Sequence, residues 1–226
     1  MSLSLCVTIC SFIHSLPQQT DRVTMDSIIA RFEFILGLFA THHIPRVVVC
    51  QAIHQSIYFM SANLFNRLIQ RRSLCVPHVG FHIKMSLSIL EAWLIGGQDV
   101  IGSVRYDSLS RWRTRWRTRS LARICSHYLE ILTQAANVLM LATNYEFFKT
   151  PETIEEHFNR LTLAQVRQLI TMYHSDHMVP QRLPERVRQA VAEACNNNPQ
   201  SAYASVVVPE VLPLDKVVTN PASGSE

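Results

Sequence analysis

The stretch from Gln51 to Asn66 is nearly free of charge, and it sits in a longer run, Arg46 to Val76, that contains no Gly or Pro. Val47, Ala52, Ile53, Ile57, Leu64 and Leu68 recur along it at helical steps. A helix that is apolar around much of its circumference cannot lie on the surface of a domain; other helices must pack around it. Arg67, Arg71 and Arg72 mark its C-terminal end, where positive charge suits the helix dipole. After a short break carrying Cys75, Pro77 and Gly80, a second apolar stretch places Ile83, Leu87, Leu90 and Leu94 at helical spacing and ends at Gly96-Gly97. This pair of helices implies an all-α bundle.

The rest of the chain follows the same pattern. Met25, Ile28, Ile29, Phe32, Ile35, Leu36 and Phe39 form one face of an amphipathic helix, His42-His43-Ile44 a turn, and Pro45 a helix start. Leu121, Ile124, Tyr128, Leu132, Ala135, Ala136 and Leu139 form another helix. Thr150-Pro151-Glu152 reads as an N-cap, a first-turn proline and a favourably placed acid. Thr162 and Gln165 have capping-box spacing, and Val166, Leu169, Ile170 and Tyr173 follow on one face. Pro184 starts a last helix with Val187, Ala190, Val191 and Ala194. The chain has only 6 Gly, which suits helices better than a turn-rich β fold. Its 226 residues suffice for one good core with tails. The expected organisation is an N-terminal segment over 1–24, a helical domain over 25–195 with an Arg-rich insert at 105–123, and a flexible or extended tail over 196–226. Ser2 to Leu16 is apolar without Lys or Arg; it lacks the basic start and clear cleavage site of a secretory signal and is too short to span a bilayer, so it reads as a truncated or mis-started helix of a longer parent, with a weak signal peptide as the alternative.

No catalytic constellation is visible. Gly-x-Ser-x-Gly, a Gly-rich phosphate loop and paired acids are all missing, and Glu155-Glu156 reads as solvated charge. His174 and His177 flank Asp176, but zinc needs three or four convergent ligands, so a turn with solvent-facing imidazoles is the expectation and no metal or cofactor is assigned. The six Cys residues are scattered without a Cys-x-x-Cys pair, and Cys50, Cys75 and Cys125 sit in apolar contexts that suit buried reduced thiols. Asn66, inside an apolar helix, must find partners for its amide and is expected to bond a neighbouring backbone. Trp93 is expected to pack in the core.

The chain's local oddity is a duplicated Trp-Arg-Thr-Arg, from Arg111, Trp112 and Arg113 to Arg115, Trp116, Arg117 and Arg119. Together with Arg105 and Arg123 these are seven of the 21 Lys and Arg residues; removing those seven charges takes the formal net charge from +4 to −3. The chain is therefore not basic overall but carries one basic segment. An exposed linker, a contact for an acidic protein partner, and a contact for nucleic acid or anionic lipid are the three readings of it.

Several blocks in order resemble the dilute (DIL) domain, the helical partner-binding module of class V myosin tails and of afadin/canoe proteins. They are Leu64-Phe65-Asn66-Arg67-Leu68; Cys75 followed by Gly80-Phe81-His82-Ile83-Lys84; Leu90-Glu91-Ala92-Trp93-Leu94; Leu132-Thr133-Gln134-Ala135-Ala136; and Leu161 to Val166 with Leu169 to Tyr173. The match runs from about Met25 to Ala194. Pro77 stands where the family often has Trp, and Lys84 where it usually has Arg. Leu-Phe-Asn-Arg-Leu, Glu-Ala-Trp, Tyr173-His174 and Val208 to Asp215 look more like afadin; Gln134-Ala135-Ala136 and Leu161 to Gln165 look more like class V myosins. The resemblance implies a multi-helix bundle of the dilute type with an extended C-terminal tail. It implies a non-catalytic, cytoplasmic scaffold or adaptor linked to the actin cytoskeleton and cell junctions, with a myosin V-like cargo-binding tail as the alternative. Partners would be proteins held in helical grooves, either cargo adaptors or junction and small-GTPase signalling proteins, with no small-molecule substrate. Asn66, Cys75, Gly80, Lys84, Glu91 and Trp93 are the family-motif residues, expected to be structural.

Overall fold

The computed structural model describes residues 25–95, 119–202 and 204–209. Among these the regular structure is helical and no strand is present. The helices are α1 (Met25–Thr41), α2 (Arg46–Gln70), α3 (Pro77–Ile95), α4 (Arg119–Leu141), α5 (Pro151–His157), α6 (Leu163–Met172), α7 (Glu185–Asn197) and α8 (Pro199–Ala202), with 3-10 turns at Arg72–Leu74 and Tyr145–Phe148. The chain divides into two compact units: Met1–Phe59 with Ser88–Ser126 and Val211–Glu226, and Met60–Leu87 with His127–Glu210.

In the first unit, α1 buries Ile29, Phe32 and Phe39, on the face its periodicity predicts. It ends in a Schellman turn: Ile44 N–H bonds the Phe39 carbonyl at 3.0 Å and His43 N–H bonds the Ala40 carbonyl at 3.2 Å. His43 takes the left-handed φ of 52° that glycine usually supplies. Pro45 caps α2 from the position before the helix, its carbonyl accepting from Val48 and Val49. Phe39, Val49 and Ala52 form a buried cluster with Ile35, Leu36 and Ile44 packed on it. Trp93 lies 5.7 Å from the Phe32 ring and donates its indole N–H to Glu33 Oε1 at 3.2 Å. Its polar edge is thus satisfied while the ring fills the core.

Among the described residues, the second unit holds the fully buried phenylalanines. Phe65, Phe148 and Phe158 are fully buried, and the last two stack at 5.4 Å. Helices α3 and α4 approach closely at Gly80 on α3. A Cβ there would meet the Ala136 carbonyl oxygen of α4 at 2.9 Å, so only glycine lets the backbones come this close. The caps form as their sequences indicate. Thr150 Oγ1 accepts from Thr153 N, with Pro151 opening α5. Thr162 and Gln165 exchange both bonds of a capping box at 3.0 and 3.2 Å.

Two side chains depart from the sequence reading. Val47 is 77% exposed and Leu64 is 45% exposed. The reading ran a single apolar stripe along α2, whereas its Met60–Gln70 part buries Ser61, Ala62, Phe65, Asn66, Leu68 and Ile69, which turns Leu64 and Arg67 outward. At the C-terminal end, α7 continues to Asn197 and α8 adds a turn to Ala202. The segment 204–209 that follows is bonded to Asn66 and Gln165 of the second unit.

Candidate functional site

Three buried amides organise the second unit, and each has its partners. Asn66, 4% exposed, clamps the main chain of Val208: its Nδ2 donates to the Val208 carbonyl at 2.8 Å and its Oδ1 accepts the Val208 N–H at 2.9 Å. Gln165, besides its role in the capping box, donates from Nε2 to the Val206 carbonyl at 3.1 Å. Gln134 spans the turn before α6, donating to Asn159 Oδ1 at 2.9 Å and accepting from Arg160 N at 2.7 Å. A buried amide that reads main-chain groups fixes a segment without regard to its side chains. The stretch 205–208 is thus held as a strap.

The other motif residues are placed as follows. Cys75 is buried, donating its thiol to the Leu68 carbonyl at 3.2 Å, and its own carbonyl accepts from His174 N at 3.1 Å. Burial pushes the Cys75 thiol up to about 11, and burial with Cys50 close by pushes Cys125 up to about 12. Lys84 is exposed and reaches Asn137 Oδ1 at 3.0 Å. Glu91 is half-buried, and desolvation raises its carboxyl. Arg111, Trp112, Arg113, Arg115, Trp116 and Arg117 lie outside the described residues; Arg119 is the first residue of α4.

Two features of the second unit lie on α3 and at its start. On α3, Phe81 and Met85 stand one turn apart and are 39% and 50% exposed, with the exposed Lys84 beside them. Where α3 begins, Asp176 Oδ2 accepts from the His78 main-chain N–H at 2.7 Å and pairs with His78 Nδ1 at 2.8 Å, while Oδ1 accepts from Met178 and Val179 N–H. Burial pushes the Asp176 carboxyl up, but these bonds outweigh it and hold it at about 2. His177 lies 5.3 Å from the His78 ring. Sequence reasoning singled out Asp176 and His177 but not His78, 98 residues away, whose only local signal is its place after Pro77.

The family model described as "DIL domain" matches residues 51–177. Among known proteins, "Protein OPAQUE1" of Zea mays is 24% identical over 181 residues, 80% of this chain and 10% of that protein. "Unconventional myosin-Va" of Gallus gallus is 25% identical over 150 residues, 66% of this chain and 7% of that protein. The solved structure "Myosin V cargo binding domain" superposes with a TM-score of 0.62 at 21% identity, over 87% of this chain and 44% of that one. "Structure of Myo2-GTD in complex with Smy1" superposes with a TM-score of 0.61 over 87% of this chain and 43% of that one. The chain thus spans 10% or less of the length of these curated relatives, and less than half of the length of the solved chains. None of the described helices is long and apolar enough to cross a membrane.

Proposed function

Since the chain belongs to the DIL domain family, we propose that it is a protein-binding module acting as the cargo-binding part of a myosin V-like transport protein. The observation that carries this reading is the DIL match over residues 51–177 on the fold of a myosin V cargo-binding domain. An afadin-like junction scaffold, which several local blocks favoured, has less support: the relatives above include a myosin-Va, and the fold is that of a myosin V tail. The solved neighbour Myo2-GTD in complex with Smy1 supports a protein partner for this fold.

The mechanism is non-catalytic. An amphipathic partner helix lays apolar anchors against Phe81 and Met85 and an acidic residue near Lys84. The basic segment 105–123 adds a second contact, for an acidic stretch of the partner or for anionic lipid on a cargo membrane. The chain would then associate with the cytoskeleton through its parent's other parts.

Proximity labelling in cells with the tagged chain, compared with Phe81→Asp/Met85→Asp, tests the reading. Organelle-bound adaptor proteins lost from the variant's profile are the expected result. Junction proteins labelled instead would return the afadin-like reading, and identical profiles would remove the α3 surface.

A further inference from the structure

We propose that His78, Asp176 and His177 form a binding site for a Zn²⁺ ion. One nitrogen from each imidazole and one carboxylate oxygen of Asp176 lie within 4.8 Å of one another. In a tetrahedral zinc site, bonds of about 2.0–2.2 Å place ligand atoms roughly 3.3–3.5 Å apart. His78 Nδ1 and Asp176 Oδ2, hydrogen-bonded at 2.8 Å, would need to part by only about 0.5–0.7 Å to reach that spacing. Two imidazoles on one tetrahedral ion have ring centroids about 5 Å apart on the same bond lengths. The His78 and His177 centroids are 5.3 Å apart. His177 is exposed, so its ring can rotate inward without disturbing the core.

The support around the ligands is already built. Asp176 is fixed by three main-chain N–H groups: His78 on Oδ2, and Met178 and Val179 on Oδ1. These bonds stay in place if the ion replaces the proton between His78 Nδ1 and Asp176 Oδ2, that proton passing to solvent. Such outer bonds aim a carboxylate ligand and keep it ionised. His78 is held independently as the second residue of α3, after Pro77. Its side chain is 36% exposed against 8% for Asp176, so the ion would rest on a buried carboxylate and leave a fourth position open to water. A mixed His/carboxylate set suits zinc better than magnesium or calcium, which prefer oxygen alone. The ion would cross-link the loop after α6 to the start of α3.

The test is titration calorimetry of the full chain with ZnCl₂, in a background where Cys6, Cys10 and Cys50 are replaced by Ser to limit thiol binding. One Zn²⁺ per chain is expected, with at least tenfold weaker affinity in His177→Ala, whose exposed position leaves the fold intact by circular dichroism. In ¹⁵N spectra of the imidazoles, the His78 and His177 rings should shift on adding zinc while His127 and His157 stay in place. No binding by the parent, affinity unchanged in His177→Ala, or shifts confined to other histidines would each overturn the site.

Discussion

Gly80→Ala sets two known effects against each other, so its sign tests how the second unit is packed. Inside a helix, Gly to Ala gains about 0.8–1.0 kcal/mol of propensity. Against this, the new Cβ would sit 2.9 Å from the Ala136 carbonyl oxygen, 3.2 Å from Leu139 Cβ and 3.3 Å from Met140 Cγ. The Met140 side chain can rotate away. The Ala136 oxygen belongs to the α4 backbone and can yield only if the helices separate. Overpacking of this kind costs about 1–3 kcal/mol, and pushing α3 off α4 loosens contacts along both helices, which favours the upper half of that range. The net expectation is a loss of about 1–2 kcal/mol. At a urea m-value of about 2 kcal/mol/M, the unfolding midpoint falls by about 0.5–1 M. Gly80→Val, with a branched side chain, should fall further. An equal or higher midpoint for Gly80→Ala would refute the close approach of α3 and α4.

Three further outcomes follow from the geometry. Asn66→Ala removes both bonds to Val208 and should cost about 1–3 kcal/mol, with amide exchange at Val206 and Val208 rising well above that at Leu132; unchanged exchange would mean that the strap is held by something else. The native Cys75 thiol, raised from the ordinary 9.0 to about 11, holds about 100-fold less thiolate at pH 8 than in guanidinium, so peptide-resolved alkylation should be slower by at least that factor; equal rates would place Cys75 at the surface. Replacing Arg113, Arg115, Arg117 and Arg119 by Ser should leave the circular-dichroism spectrum intact and weaken binding to anionic vesicles or an acidic partner; unchanged binding to both would remove the basic segment as a contact.

Much of the fold was legible because its signals are local. The stripe of α1, the Thr150-Pro151 cap and the Thr162/Gln165 box each lie within a few residues, and each occurs where its spacing indicates. Asn66 was legible as half of a pair: an amide in an apolar helix demands a partner, but nothing near it points to Val208, 142 positions on. The same limit hid His78, since Asp176 reaches it only through the tertiary fold. Leu64 was misplaced because periodicity carries one face along a helix, whereas α2 is buried around Phe65 and Ile69 in its last turns. Gly80 was noted as a motif position, but the carbonyl that demands glycine there lies on α4.

The proposal to be tested is that this DIL domain binds a protein partner through its helical surface. Hydrogen exchange on the purified chain, with and without an adaptor recovered by proximity labelling and purified separately, tests it most directly. The account predicts saturable binary binding, with new protection concentrated on α3 around Phe81 and Met85 and lost in Phe81→Asp/Met85→Asp. Absence of binary binding, or protection that leaves this face untouched, would contradict it.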